Sequence, residues 1–157
     1  MKAVSLPYST STANPEKAMK RIRDTLRKFG VSSISFIEHY EQKTVEVAFK
    51  YKQYPVAIPL DYGKLAERFM ERDPYNRSRK RIKKDEWENR WKETAYNASF
   101  SILEDILKSL TTVVELGVFS FEEIFFCSFV GPDGKRLGER LTAELPRMVG
   151  RGTEQDK

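Results

Sequence analysis

Apolar positions along the chain switch from helical spacing to a period of two and back, and turn and cap residues divide these stretches into elements. Between Asn14 and Gly30, Met19, Ile22, Leu26 and Phe29 recur at helical spacing. Asn14 suits the cap, Pro15 the first helical position, Glu16 the positive end of the dipole, and Gly30 the left-handed stop. From Val31 the period is two: Ile34, Phe36 and Glu38 alternate with Ser33, Ser35 and Ile37, and Val45, Val47 and Phe49 with Thr44, Glu46 and Ala48. Two strands joined near Glu41-Gln42-Lys43 follow. A third run, Tyr54 to Leu60, contains Pro55 and Pro59, which cannot donate to a ladder, so it belongs at the sheet edge.

Helical spacing returns at Lys64 to Arg72 and stops at Asp73-Pro74. It then dominates. Trp87, Trp91, Ala95, Ala98, Ile102, Ile106 and Leu110 step at three or four, while Phe100, Leu103, Leu107 and Val114 widen the stripe. A helix from about Asp85 to Leu116 would be on the order of 48 Å long, the spine of the fold, with its apolar later half buried and its charged earlier half projecting. Gly117 ends it. Ser120-Phe-Glu-Glu123 is a capping box opening a helix to Phe126 or Cys127, Pro132-Asp-Gly134 is a turn, and Leu137 to Leu145 is an amphipathic helix closed by Pro146. The expected fold is α+β: an N-terminal helix, a three-stranded antiparallel meander, a long central helix and short C-terminal helices. Residues 1 to 13 are expected to be an extended lead-in, 14 to 149 a single domain, and 150 to 157 a flexible tail.

Composition agrees with one folded domain. Of 157 residues, 39% are hydrophobic and 19 are aromatic, ten Phe, seven Tyr and two Trp, which is too many for a disordered chain. No apolar run approaches the roughly 20 residues of a spanning helix, so no membrane partner is expected. The start of the chain lacks the apolar core of a signal peptide, and Cys127 is the single cysteine, so the expected setting is a reducing cytoplasm.

Candidate chemistry is sparse. His39 is the single histidine, at a strand end, and reads as structural. Gly131-Pro-Asp-Gly-Lys135 has two residues between its glycines where a phosphate loop has four, and Arg136 where that loop has Ser or Thr. The Glu41-Gln42-Lys43 triplet has the acid-x-lysine form of some metal nucleases, but it lies in a predicted turn and no Pro-Asp precedes it on a strand. Glu122 and Glu123 are explained by the helix dipole, and Cys127, after two phenylalanines, reads as a buried small hydrophobe. The expectation is therefore no catalytic site, no metal and no cofactor.

Charge is unevenly placed. The chain carries 28 Lys and Arg against 23 Asp and Glu, net +5. In the first helix Lys17, Lys20, Arg21, Arg23, Arg27 and Lys28 outweigh Glu16 and Asp24, leaving +4. Residues 77 to 84 hold six basic residues of eight: Arg77, Arg79, Lys80, Arg81, Lys83 and Lys84. Residues 101 to 125 hold five carboxylates and one lysine, net −4. Basic helix faces neutralise phosphates, and Trp87, Trp91, Tyr75 and Tyr96 are candidates to stack on bases. Both tryptophans also lie on the core stripe. Two arrangements follow for them: exposure and a homodimer through the long helix, or cover by the 64 to 72 helix through Leu65, Phe69 and Met70. The short connection favours the second.

Gly117-Val-Phe-Ser-Phe-Glu-Glu-Ile-Phe125 followed by Gly131-Pro-Asp-Gly-Lys-Arg-Leu-Gly-Glu139 resembles a family of small uncharacterised proteins from phages, prophages and bacterial genomes. In that family a basic lead enters a long Trp-containing helix, then a Phe-Glu-Glu helix and a Pro-Asp-Gly turn. The likeness spans most of the chain and is specific over residues 115 to 140. It implies a mobile-element origin and a host cytoplasm, and assigns no activity. The leading expectation is a non-enzymatic accessory protein that binds DNA or RNA through Lys17, Lys20, Arg21, Arg27, Arg77, Arg79, Lys80, Arg81, Lys83 and Lys84. The alternatives are a counter-defence inhibitor of a host nucleic-acid-handling complex, and a structural interaction module.

Overall fold

A computed structural model describes residues 6–10, 14–76 and 82–150. Helix α1, Pro15–Phe29, leads into strands β1 (Ser33–His39), β2 (Thr44–Tyr51) and β3 (Tyr54–Asp61), then helices α2 (Tyr62–Arg72), α3 (Lys84–Glu115), α4 (Phe121–Phe125) and α5 (Leu137–Val149). This is the α+β order that periodicity predicts. Asn14 Oδ1 accepts from the Glu16 amide at 2.9 Å, and Gly30, at φ 99°, stops α1 in the left-handed region.

The three strands form an antiparallel meander in the order β1-β2-β3. Register places Phe36 opposite Val47 and Val47 opposite Ile58, so Ile34, Phe36, Val45, Val47, Phe49, Val56 and Ile58 share the inner face. Val45, Val47 and Phe49 of the central strand are at most 4% exposed. Helices α1 and α3 form the second layer of the core with Ala18, Ile22, Leu26, Phe100, Leu103 and Leu107. A single sheet face plus two helix stripes is the least that such a short meander needs to be stable.

Aromatic rings close one end of this core. Phe121 stacks on Phe125 at 4.6 Å and meets Tyr51 at 4.3 Å, and Tyr54 lies flat on Phe129 at 4.7 Å. The Phe-Glu-Glu segment thus supplies packing through its phenylalanines, while Ser120 and Glu123 complete the capping box.

β3 is an edge with a partial neighbour. The Val130 amide donates to the Pro55 carbonyl at 2.9 Å, and Val56 bridges Phe129. The Pro55 carbonyl therefore points away from β2, and its N–H-less nitrogen points the same way. Pro59, four residues along the strand, has the same orientation, so neither proline removes a donor from the β2–β3 ladder.

The structure corrects several local expectations. α4 ends at Phe125 in a 3-10 turn, Phe126–Ser128, which brings Phe129 back to β3. Cys127 is consequently exposed rather than buried, because the core place belongs to Phe125, fully buried two residues earlier. Pro146 does not close α5, which continues to Val149. The carbonyl that Pro146 leaves without a helical donor belongs to Thr142, an exposed residue open to solvent. α5 also needs Gly138, since a Cβ there would come within 2.8 Å of the Cys127 carbonyl oxygen. Residues 6–10 are a turn closed by Ser9 N–H on the Leu6 carbonyl at 3.1 Å, not an extended segment. The rest of the lead-in and the tail from 151 lie outside the described residues.

Candidate functional site

The long helix α3 enters the fold beside the basic run, and its first turns build the best-defined concavity near those charges. Helical spacing puts Trp87, Trp91 and Thr94 on one side of α3, with Arg90 at its border. α2 folds back along them. Phe69 meets Trp91 at 5.5 Å, and Leu65, Ala66, Met70 and Ala95 fill the space between the helices. This is the cover that the short connection favours. The turn at residues 6–10 supplies the other wall: Leu6 and Tyr8 join the same cluster, and the Tyr8 hydroxyl donates to Asp105 on α3.

The result is a pocket of roughly 440 Å³ lined by Ser9, Asp73, Ile82, Trp87, Arg90, Trp91 and Thr94. Its rim is tied by one hydrogen bond: the Tyr75 hydroxyl donates to the Ile82 carbonyl at 2.9 Å, with the Tyr75 ring 5.5 Å from Trp87. The chain therefore leaves at Tyr75 and returns at Ile82 at one place beside the pocket. Arg77, Arg79, Lys80 and Arg81, which the sequence assigns to binding, lie between these points and outside the described residues. Lys83 and Lys84 are described and exposed, at the cap and first residue of α3.

The local electrostatics are unusual for a helix start. The N-terminus of a helix carries a positive partial charge, so Asp85 and Glu86 have the favourable sign there while Lys83 and Lys84 have the unfavourable one. Lys83 makes no side-chain cap. Charges follow the dipole in α1, which Glu16 opens and Arg27 and Lys28 close, and at the start of α4 with Glu122 and Glu123, but not at the last turn of α3, which ends on Glu115, nor at α5, which opens behind Arg136. Lys83 and Lys84 thus stand exposed beside an aromatic pocket, with Asp85 and Glu86 next to them on the first turn, so a phosphate there would meet the two ammonium groups and a flat ring the indoles.

The α1 cations form a separate patch. Lys17, Lys20 and Arg27 are exposed on its outer side. Arg21 is engaged: its guanidinium makes a two-point ion pair with Glu104 of α3, at 2.6 and 3.0 Å, and the carboxylate raises its pKa. Arg23 lies over the Phe36 ring at 4.9 Å. Glu104 is about 20 residues beyond Lys84 on one straight helix, so the two basic regions stand on the order of 30 Å apart along its axis. Among the described residues, Lys83 and Lys84 thus stand apart from the α1 cations.

The remaining candidates have structural roles. His39 is exposed at the end of β1, and Glu41 to Lys43 form the turn before β2. In the Pro-Asp-Gly turn the amides are already spent, Gly131 on the Lys135 carbonyl at 2.9 Å, Gly134 on the Gly131 carbonyl at 3.0 Å and Lys135 on Asp133 at 3.2 Å, which leaves no cradle for phosphate. Arg140 binds the Asp133 carboxylate and holds it below its usual range. Among the described residues no group of three His, Cys, Asp or Glu is placed to hold a metal, and no helix is long and apolar enough to cross a membrane.

Sequence reasoning missed Arg90, Thr94 and Ser9. Arg90 and Thr94 follow Trp87 at three and seven residues, a spacing that points to the same side of a helix. Ser9 had no such signal, because its place depends on how the 6–10 turn docks. Comparison with protein-family models, curated proteins and solved structures returns no match to this chain.

Proposed function

We propose that this protein is a non-enzymatic nucleic-acid-binding accessory protein of a phage or other mobile element. The observation that carries the reading is the conjunction at the start of α3: cations of unfavourable sign for a helix N-terminus, beside a pocket walled by Trp87, Trp91 and Arg90. A backbone phosphate offsets the charge, and an unpaired base enters the pocket against an indole. Single-stranded DNA or RNA is the ligand that presents both. The α1 patch adds contacts only for strands long enough to span on the order of 30 Å.

The test is fluorescence anisotropy with labelled single strands of increasing length at two salt concentrations. Affinity should fall steeply with salt, and Lys83→Glu/Lys84→Glu should weaken binding while circular dichroism is unchanged. Binding that ignores salt, or that survives this charge reversal, rejects the reading.

The alternative, an inhibitor of a host defence complex whose basic residues occlude a nucleic-acid site and whose oppositely charged ends suit a charged groove, has less support from the acidic end. Of the five carboxylates in residues 101 to 125, Glu104 is held by Arg21, Asp105 by Tyr8 and Glu123 by the capping box.

A further inference from the structure

The two edges of the sheet are treated differently. Along β3 the outward main chain is blunted by Pro55 and Pro59 and partly covered by Phe129 and Val130. These are the devices by which proteins prevent unwanted strand pairing. β1 has none of them along its first five residues. It runs Ser-Ile-Ser-Phe-Ile-Glu-His in unbroken register with β2, without proline, lysine, glycine or bulge, and among the described residues no strand lies on its other side. Its single inward carboxylate, Glu38, sits near the far end and accepts a hydrogen bond from the Tyr96 hydroxyl at 2.7 Å.

The surroundings of this edge carry a definite sign. Arg23 lies over Phe36, so that flank of α1 faces β1. Lys20, three residues before Arg23, and Arg27, four after it, occupy the same flank. Glu16, four residues before Lys20, and Asp24, between Lys20 and Arg27, are the acidic groups of α1, which keeps a net charge of +4. On the opposite face of the sheet Ser33, Ser35 and Ile37 stand outward, and Ile37 is 37% exposed. A strand laid along β1 would find main-chain donors and acceptors at its side, three cations above it and a small, partly apolar surface below.

We infer that the β1 edge is a docking site for an acidic extended segment of a partner protein, which adds a fourth strand to the sheet. Main-chain pairing along Ser33 to Ile37 supplies the binding, and alternation supplies the specificity: carboxylates on one face of the incoming strand lie under Lys20, Arg23 and Arg27, and apolar side chains on its other face meet Ile37. A second copy of this chain is a poor occupant, because two-fold pairing through β1 brings two α1 helices of net +4 together.

The experiment uses the full chain and a fluorescein-labelled peptide of alternating Val and Glu, as long as β1. Three comparisons accompany it: the same peptide with Lys for Glu, the Glu peptide N-methylated at alternate amides, and the Lys20→Glu/Arg23→Glu/Arg27→Glu variant. The Glu peptide should bind at least about tenfold more tightly than in each of these comparisons, and it should slow amide hydrogen exchange in residues 33–39. Equal binding of the N-methylated peptide, or unchanged exchange in β1, overturns strand addition in favour of simple charge attraction. So does a single-stranded oligonucleotide that occupies α1 where the peptide fails to bind. The Lys83→Glu/Lys84→Glu variant separates this inference from the proposed function, since it should lose nucleic acid and retain the peptide.

Discussion

The two halves of α3 share one apolar spacing but not one kind of cover. The later half packs against both the sheet and α1, with Phe100, Leu103 and Leu107 at most 1% exposed. Its buried polar groups are satisfied locally: the Thr111 hydroxyl donates to the Leu107 carbonyl at 2.8 Å and the Ser99 hydroxyl to the Tyr96 carbonyl at 2.6 Å. The earlier half has one short helix and the 6–10 turn against it, and between them remains the pocket. Two full layers leave no room for a ligand, whereas a thin cover of aromatic side chains does. The tight packing therefore concentrates in one half and the open concavity in the other.

The sharpest break of this contrast is Leu107→Ala. Loss of a fully buried Leu between two layers should cost about 2–5 kcal/mol in denaturant unfolding. Binding to single strands, measured where the variant remains folded, should be unchanged. A loss below about 1 kcal/mol would mean that the later half is not the stable one.

Trp91→Ala comes next. The indole is half-buried, so the expected destabilisation is about 2 kcal/mol, less than for a fully enclosed aromatic. The loss of binding should be comparable, about 1–3 kcal/mol for one stacked base. Light scattering checks the packing account: wild type and variant should have the same mass. A dimer that dissociates on this substitution with the fold retained would instead place Trp91 in an interface.

The halves also differ in how much of them was legible in the sequence. The later half, the meander and α1 follow from local signals that agree with one another: period two, period three to four, a cap at Asn14, a stop at Gly30 and prolines on an edge. The limits of α3 fall within one residue of those expected. Where the reading failed, the cause was tertiary. Cys127 is displaced from the core by a 3-10 turn whose purpose is to return Phe129 to β3, and α5 passes through Pro146 because the freed carbonyl belongs to an exposed residue. The candidate site was half legible. Its cations and tryptophans stand out in sequence, but the pocket needs α2 and the 6–10 turn to dock, and the engagement of Arg21 needs Glu104, 83 positions away.

Asn14→Ala probes the cover of the later half from its other side. Loss of the cap on α1 should cost about 1 kcal/mol, read as a shift in the unfolding midpoint with the same slope. Because α1 shares its core cluster with Phe100, Leu103 and Leu107 while Trp91 packs in the separate cluster with α2, the fluorescence of Trp87 and Trp91 in the folded protein should not change.

Tyr96 stands where the two halves meet, and it makes the contrast dependent on pH. Partial burial and its hydrogen bond to Glu38 raise its pKa, and the bond to Asp105 raises that of Tyr8. Each phenol thus holds its proton more tightly in the folded chain than the ordinary value of 10.0 allows, so as pH rises the unfolded chain ionises first. The contribution is full below pH 10 and declines above it. Tyr96→Phe, which keeps the ring against Phe100, should flatten that alkaline decline in urea unfolding between neutral pH and the alkaline limb. An unaltered decline would assign it to Tyr8 or to other phenols.

The smallest expected effect separates cations that the sequence cannot tell apart. Lys17 and Arg21 lie one turn apart on α1, and both read as phosphate contacts. Arg21 is already paired with Glu104, whose side chain is only 18% exposed, while Lys17 is free of any ion pair among the described residues. Transferring Arg21 to a phosphate would leave Glu104 half-buried without its partner, and that cost cancels much of the gain. With a strand long enough to reach α1, Lys17→Ala should therefore reduce the slope of log affinity against log salt by about one contact, roughly 0.7 for a single strand. Arg21→Ala should leave the slope unchanged. Equal loss from the two substitutions would mean that the Arg21–Glu104 pair opens on binding, and that the later half of α3 takes part in recognition after all.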